Sequence, residues 1–184
     1  MLPSDARDAG YHGVTGDQSR ASVQSELNQA GDDVEYRHTD GTDGGFVALS
    51  QELEDHFNAL AGGQANRQGL ARLNTLEHIH DAVVAYDGDM PVGCASFRAY
   101  EGDVAEIKRV YVRPAHRGKR IGRELMGQIE SRAKDKGYRK VILETGRQFA
   151  AAVGLYESLG YKVIANYGEY AARDASCCFE KMLI

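Results

Sequence analysis

Between residues 104 and 134 the apolar pattern changes its period. "VAEIKRVYV" reads as a strand, whereas Ile121, Leu125, Ile129 and Ala133 step by four, with Met126 on the same helical face. Only "RPAHRGKR" separates the two patterns. A strand that feeds a helix through so short a loop belongs to a layered fold in which helices cover a sheet. Gly137 ends this helix, and Glu130 and Lys134 are spaced to pair on its outer side.

The same periods divide the rest of the chain. Strands are expected at 34–40, 81–86, 91–100, 103–112, 138–145, 161–164 and 176–184, with turns at "YDGDMP" and "YEGD". Phe46, Leu49, Leu53, Phe57 and Leu60 mark an amphipathic helix that Gly62 and Gly63 end. Ala152, Leu155, Tyr156 and Leu159 mark another over 148–159, with Gly160 as its C-cap. Residues 1–32 are rich in Ser, Asp, Gly, Ala and Gln and read as an extension, in which "SVQSELNQA" could form a short helix. Residues 33–184 read as a single α/β (α+β) domain.

A chain of 184 residues, 42% hydrophobic and 27% charged, can bury a core without staples. Its net charge of −5 gives no broad basic face, which argues against a nucleic-acid partner. No apolar run has the length of a membrane span, and "MLPSDARDAG" lacks an apolar signal core, so a cytoplasmic location away from membranes is expected. Cys94, Cys177 and Cys178 fit no disulfide framework or zinc spacing and read as reduced, buried thiols; the adjacent pair would point to opposite faces of a strand.

The positive charge is local. Arg117, Lys119, Arg120 and Arg123 lie among Gly118 and Gly122 where the helix begins. A helix start offers unpaired N–H groups and partial positive charge, glycines allow close approach, and cations add charge-assisted contacts, which together suit a pyrophosphate. Neither G-x-x-x-x-G-K-[ST] nor G-x-G-x-x-G occurs, so neither a P-loop nor a dinucleotide fingerprint explains the loop. On these residues alone, a solvated helix start remains an equal reading.

The order of strand, "RGKRIG" loop, helix, strand and "AAAVGLYESLGYKVI" resembles the GNAT superfamily of acyl-CoA-dependent N-acyltransferases over about residues 80–165. The family's loop is [RQ]-x-x-G-x-[GA]: Arg117 and Gly122 match its ends, and Arg120 stands at its central glycine. The resemblance implies a mixed, mostly antiparallel sheet of six to seven strands flanked by helices. It implies acetyl-CoA as co-substrate, held by Val110, Tyr111 and Val112 on the fourth strand and by Arg117, Gly118, Lys119, Arg120, Ile121, Gly122 and Arg123. It further implies that the Val110 N–H stabilises the developing oxyanion and that Tyr156 protonates the departing thiolate. Phe149 stands where the family often has Asn, seven residues before that Tyr.

An amine acceptor must lose a proton, and Glu106 occupies the strand position from which some family members' base works. Its alternative is a solvated partner of Lys108 on the same strand face; Glu144 is the second candidate, and could instead bind an ammonium or cap the next helix with Thr145. No Cys or Ser has a nucleophile–base setting, so direct attack without an acyl-enzyme is expected. "HIHD" lacks further ligands, so His78 and His80 imply no metal; His116 reads as a surface residue near the phosphates. The acceptor is expected to be a small-molecule or peptide amine, near residues 62–80 and "NYGEYAARDAS", and a homodimer would be in keeping with the family. The other reading is a non-catalytic acyl-CoA sensor or interaction module, which the Arg120 and Phe149 departures would favour.

Overall fold

The computed structural model describes residues 34–60 and 75–183. The expected helix in "SVQSELNQA", the glycines at 62 and 63, and most of 62–80 lie outside them. The elements run β1 (Val34–Thr39), α1 (Gly44–Leu60), β2 (Asp81–Asp87), β3 (Met90–Glu101), β4 (Val104–Val112), α2 (Ile121–Asp135), β5 (Lys140–Gly146), α3 (Ala150–Ser158), β6 (Lys162–Ile164) and β7 (Ser176–Met182). Short 3₁₀ turns cover Pro114–His116 and Gly168–Tyr170.

The seven strands form one sheet in the order β1-β2-β3-β4-β5-β7-β6. Every neighbouring pair is antiparallel except β4 with β5, joined in parallel through the α2 crossover. Leu125, Met126, Ile129 and Ala133 of α2 and Tyr156 of α3 cover one face, over Val83, Ala105, Ile107, Leu143 and Phe179. Phe46, Leu49 and Leu53 of α1 cover the other, over Val84, Cys94 and Tyr111. Cys177 belongs to the first core and Cys178 to the opposite face, as strand neighbours must. All three cysteines are free and buried. Among the described residues, no helix is long and apolar enough to cross a membrane.

Helix α1 begins two residues ahead of the apolar stripe. Asp43 explains this: its carboxylate accepts from the Phe46 N–H at 2.8 Å and its carbonyl from Val47 at 2.9 Å, an N-cap. The expected Glu130–Lys134 pair is replaced by a longer-range one. Glu130 accepts from Tyr161 at 2.8 Å and Lys181 at 2.5 Å, tying α2 to β7, because it faces the sheet's edge and not water.

Asp81, buried at the start of β2, receives Arg132 at 3.0 Å and Lys136 at 2.7 Å from the end of α2. Both cations are about half exposed and would rehydrate if the carboxylate were lost. Asp81→Ala is therefore expected to cost ~1–2 kcal/mol, less than the roughly 3–5 kcal/mol of breaking a fully buried ion pair. Urea unfolding would read this as a lowered midpoint with an unchanged slope.

Candidate active site

The pairing of β4 with β5 is short. It covers Val104–Glu106 against Lys140–Ile142 and ends there, after which β5 continues on β7 alone. The outer half of β4, residues 107–112, thus pairs with β3 on one side and with no strand on the other among the described residues. Within that half the register against β3 shifts: Cys94 faces Tyr111 and Ser96 faces Lys108, leaving Arg109 and Val110 opposite Ala95. This is a β-bulge, which re-aims the strand's backbone groups. Arg109 carries it with a φ of 58°, a left-handed conformation that costs a residue with a Cβ ~1–2 kcal/mol.

Below the end of β4 lies the basic loop. Gly118 has φ 79°, and Arg120, the N-cap of α2, has φ 64° and ψ 3°. Arg120 thus keeps a backbone that glycine adopts freely, so the departure from the glycine motif leaves the loop's path intact. Arg120→Gly should relieve this strain and raise stability by ~0.5–1 kcal/mol, measured as a rise in Tm of a few degrees. No side chain caps α2, whose first closing bond runs from the Glu124 N–H to the Arg120 carbonyl at 3.1 Å. The N–H groups of Ile121, Gly122 and Arg123 precede it and have no intrahelical acceptor. A Cβ on Gly122 would meet Leu155 at 3.5 Å and Val112 at 3.7 Å, ordinary contacts, so packing alone does not demand a glycine there.

The four cations divide in role. Arg117 donates from Nε to the Val112 carbonyl at 2.9 Å and lies 5.9 Å from the Tyr111 ring centre, binding the loop to β4. Arg123 donates to the Ser158 hydroxyl at 2.9 Å, linking α2 to α3. Lys119 and Arg120 are exposed and have no acidic partner among the described residues. His116 is more enclosed than a surface residue, with Nε2 3.3 Å from Asp87.

On the α1 face of the sheet a polar cluster gathers around Glu106 of β4 and Glu144 of β5. Glu106 is 1% exposed, so its pairing with Lys108 is buried, not solvated. Arg98 brings two nitrogens to Glu106 Oε2, each at 2.7 Å. The Tyr167 hydroxyl donates to Oε1 at 3.1 Å, and Lys108 Nζ approaches the same oxygen at 3.5 Å. Lys108 also donates to the Tyr170 hydroxyl at 2.9 Å. Burial pushes Lys108 below its ordinary range, against the pull of Glu106. Glu144, one strand over, is half-buried and accepts from the Ser176 hydroxyl at 2.5 Å, so it does not cap the next helix. Burial raises its pKa, outweighing Ser176 and the charge of Lys108.

Tyr156 lies on the opposite face, 5.8 Å from the rings of both Tyr161 and Phe179, and its hydroxyl has no hydrogen-bond partner among the described residues. Burial, with Glu144 adding, pushes the phenol well above its usual range. Val110 and Val112 pack against the same core as Tyr156, and Tyr111 turns to the α1 core. Phe149 is the N-cap residue of α3 and packs on Phe57 of α1 at 5.1 Å between ring centres. His78 and His80 are exposed residues of the segment before β2, and no cluster of three metal-ligating side chains occurs among the described residues.

Sequence reasoning missed Arg98, Tyr167 and Ser176, which reach the two glutamates from other strands and loops. It also missed Glu54, whose Oε1 lies 2.6 Å from the Arg109 guanidinium. The bulge itself had a signal: the β4 residues on the α2–α3 core are Ala105, Ile107, Val110 and Val112, and one step of three breaks the alternation.

Residues 46–161 match the sequence model of the Acetyltransferase (GNAT) family. The chain is 34% identical over 140 residues to an IAA acetyltransferase of Azospirillum brasilense, a match that spans 74% of this chain and 90% of that one. A candidate acyl-CoA N-acyltransferase of Klebsiella pneumoniae superposes with a TM-score of 0.67 at 27% identity, covering 83% of this chain and 99% of that one. A PaiA N-acetyltransferase of Thermoplasma acidophilum, solved in complex with coenzyme A, shares the fold with a TM-score of 0.63 at 20% identity, over 81% and 98% of the two chains.

Proposed function

This chain belongs to the acetyltransferase (GNAT) family, and from that premise we propose that it moves an acetyl group from acetyl-CoA to a primary amine by direct attack. Residues 33–184 form the catalytic domain in this reading. The observation that carries it is the coincidence of the opened β4–β5 seam with an uncapped helix start flanked by two unpaired cations. Those features fit a ligand with a pyrophosphate at one end and a narrow pantetheine arm at the other.

Acetyl-CoA supplies an activated acyl thioester. The Ile121, Gly122 and Arg123 N–H groups, with Lys119 and Arg120, hold the pyrophosphate, and Arg117 keeps their loop against β4. The backbone of Val110, Tyr111 and Val112 aligns the arm, and the Val110 N–H faces the acyl oxygen, where negative charge builds during transfer. Tyr156, protonated through the neutral range, gives its proton to the leaving sulfur. The buried Cys94 thiol, pushed up to about 12, is no nucleophile at neutral pH, in keeping with direct attack.

The base role falls to Glu144. Glu106 accepts from Arg98, Tyr167 and Lys108, and these contacts occupy it in holding Lys108 and Tyr167 in place. Glu144 has a raised pKa and one hydrogen-bonded hydroxyl, so it binds a proton more readily than an ordinary carboxylate, which suits a base. The rate should therefore rise with pH through that raised pKa, and Glu144→Gln should lower kcat and flatten the acid limb. Stability moves in the opposite sense. A carboxyl with its folded pKa above its unfolded value contributes stability that is present below the unfolded value and is lost as pH rises through the folded one. Glu144→Gln is thus expected to be more stable than wild type at pH 7 and to lose that advantage below about pH 4.5. Urea melts at both pH values check this.

The function is tested by thiol release from acetyl-CoA across a panel of small amines and peptide N-termini. Acceptor-dependent release that tracks an acetylated product by mass supports the reading. Tight acetyl-CoA binding with no release for any amine would favour a sensor instead.

A further inference from the structure

We infer that Glu54 of α1 is a positioning residue for acyl transfer: by pairing with Arg109 it holds the β4 bulge that aims the following N–H, that of Val110, into the cleft. The inference rests on the acetyltransferase reading above.

The strain at Arg109 is the starting point. A left-handed residue in the middle of a strand is rare for any side chain but Gly, Asn or Asp, and arginine has no local means of favouring it. The support therefore comes from elsewhere in the fold. The Arg109 guanidinium meets Glu54 at 2.6 Å, with the two side chains only 7% and 18% exposed, so water screens the pair little. The Arg109 carbonyl, turned by the same bulge, accepts from Cys94 Sγ at 3.2 Å.

A second pair closes the far end. Arg113 grips Glu52 through three contacts of 2.6–3.2 Å. Glu52 and Glu54 flank buried Leu53 on α1, so the helix is fastened at Arg109 of β4 and at Arg113 just past its end, with Val110–Val112 between. An ion pair that served only to dock α1 would not need a left-handed partner. Its attachment to the strained residue beside Val110 is what ties it to the orientation of that N–H.

The test reads that N–H directly, through the carbonyl carbon of bound [1-13C]acetyl-CoA, whose resonance moves downfield when its oxygen accepts a stronger hydrogen bond. In wild type a downfield displacement on binding is expected. Glu54→Ala should lose at least half of it while the Kd for CoA, which lacks the acetyl group, stays within threefold. Glycine adopts the left-handed bulge unaided, so the Glu54→Ala, Arg109→Gly double variant should regain the wild-type displacement. Glu54→Gln should fall between wild type and Glu54→Ala, and serves if the alanine variant does not fold. A full displacement in the Glu54 variants would overturn the inference, and so would a double variant that stays as impaired as Glu54→Ala. Wild type that binds neither CoA nor acetyl-CoA would instead remove the acetyltransferase reading itself.

Discussion

Tyr156→Phe is expected to lower kcat about 100-fold while leaving the Kd for acetyl-CoA within about threefold, a loss at the lower end of what a positioned acid contributes. The ring is held by packing against Tyr161 and Phe179, and phenylalanine keeps that packing. The hydroxyl makes no hydrogen bond to any described residue, so its removal leaves no partner stranded in the core. Tm should accordingly stay within a degree or two of wild type. A loss of kcat without loss of fold or cofactor affinity isolates the proton given to the leaving sulfur. Stopped-flow thiol release and calorimetric titration measure the two quantities separately, and a kcat within threefold of wild type would remove Tyr156 from the chemistry.

The second large effect concerns binding. Lys119→Glu with Arg120→Glu should raise the Kd for acetyl-CoA by about 100-fold or more, because charge-assisted hydrogen bonds are each worth roughly 1.5–3 kcal/mol and two are lost. Like-charge repulsion from the new glutamates adds to the loss. These two cations are the informative pair, because Arg117 and Arg123 already serve the fold through Val112 and Ser158. The wild-type Kd should also weaken with salt, and the variant's much less so. Lys162→Glu on exposed β6 changes the same net charge by one such step and should leave the Kd within twofold. Equal weakening by that remote change would mean that total charge governs binding and the loop does not.

Much of this was legible in the chain. The period change after β4 places the helix start, and "RGKRIG" with "LYESLGY" carries the family, because local spacing encodes both. What was not legible comes from contacts between distant segments. Glu106 looks like half of a local pair with Lys108, yet its buried state depends on Arg98 of β3 and Tyr167 of the segment before β7. Glu130 has a suitable partner four residues on and takes Lys181 instead, 51 residues away. Arg120 reads as a broken motif because a letter shows the side chain, whereas the loop requires a backbone conformation that Arg120 still adopts. The β4 bulge was readable in principle, since a step of three among apolar strand residues signals an inserted residue. The two N-terminal glycines of α1 hid the Asp43 cap that begins the helix ahead of them.

On this reading the opened seam and the basic helix start together bind acetyl-CoA. Thermal unfolding of the full chain with acetyl-CoA, CoA, ATP and NAD tests it most directly, since a ligand that binds only the folded state must raise the midpoint by mass action. A clear rise is expected with acetyl-CoA and CoA, and a small one or none with ATP and NAD. No rise with either CoA ligand at millimolar concentration, or a rise with ATP or NAD alone, would contradict it.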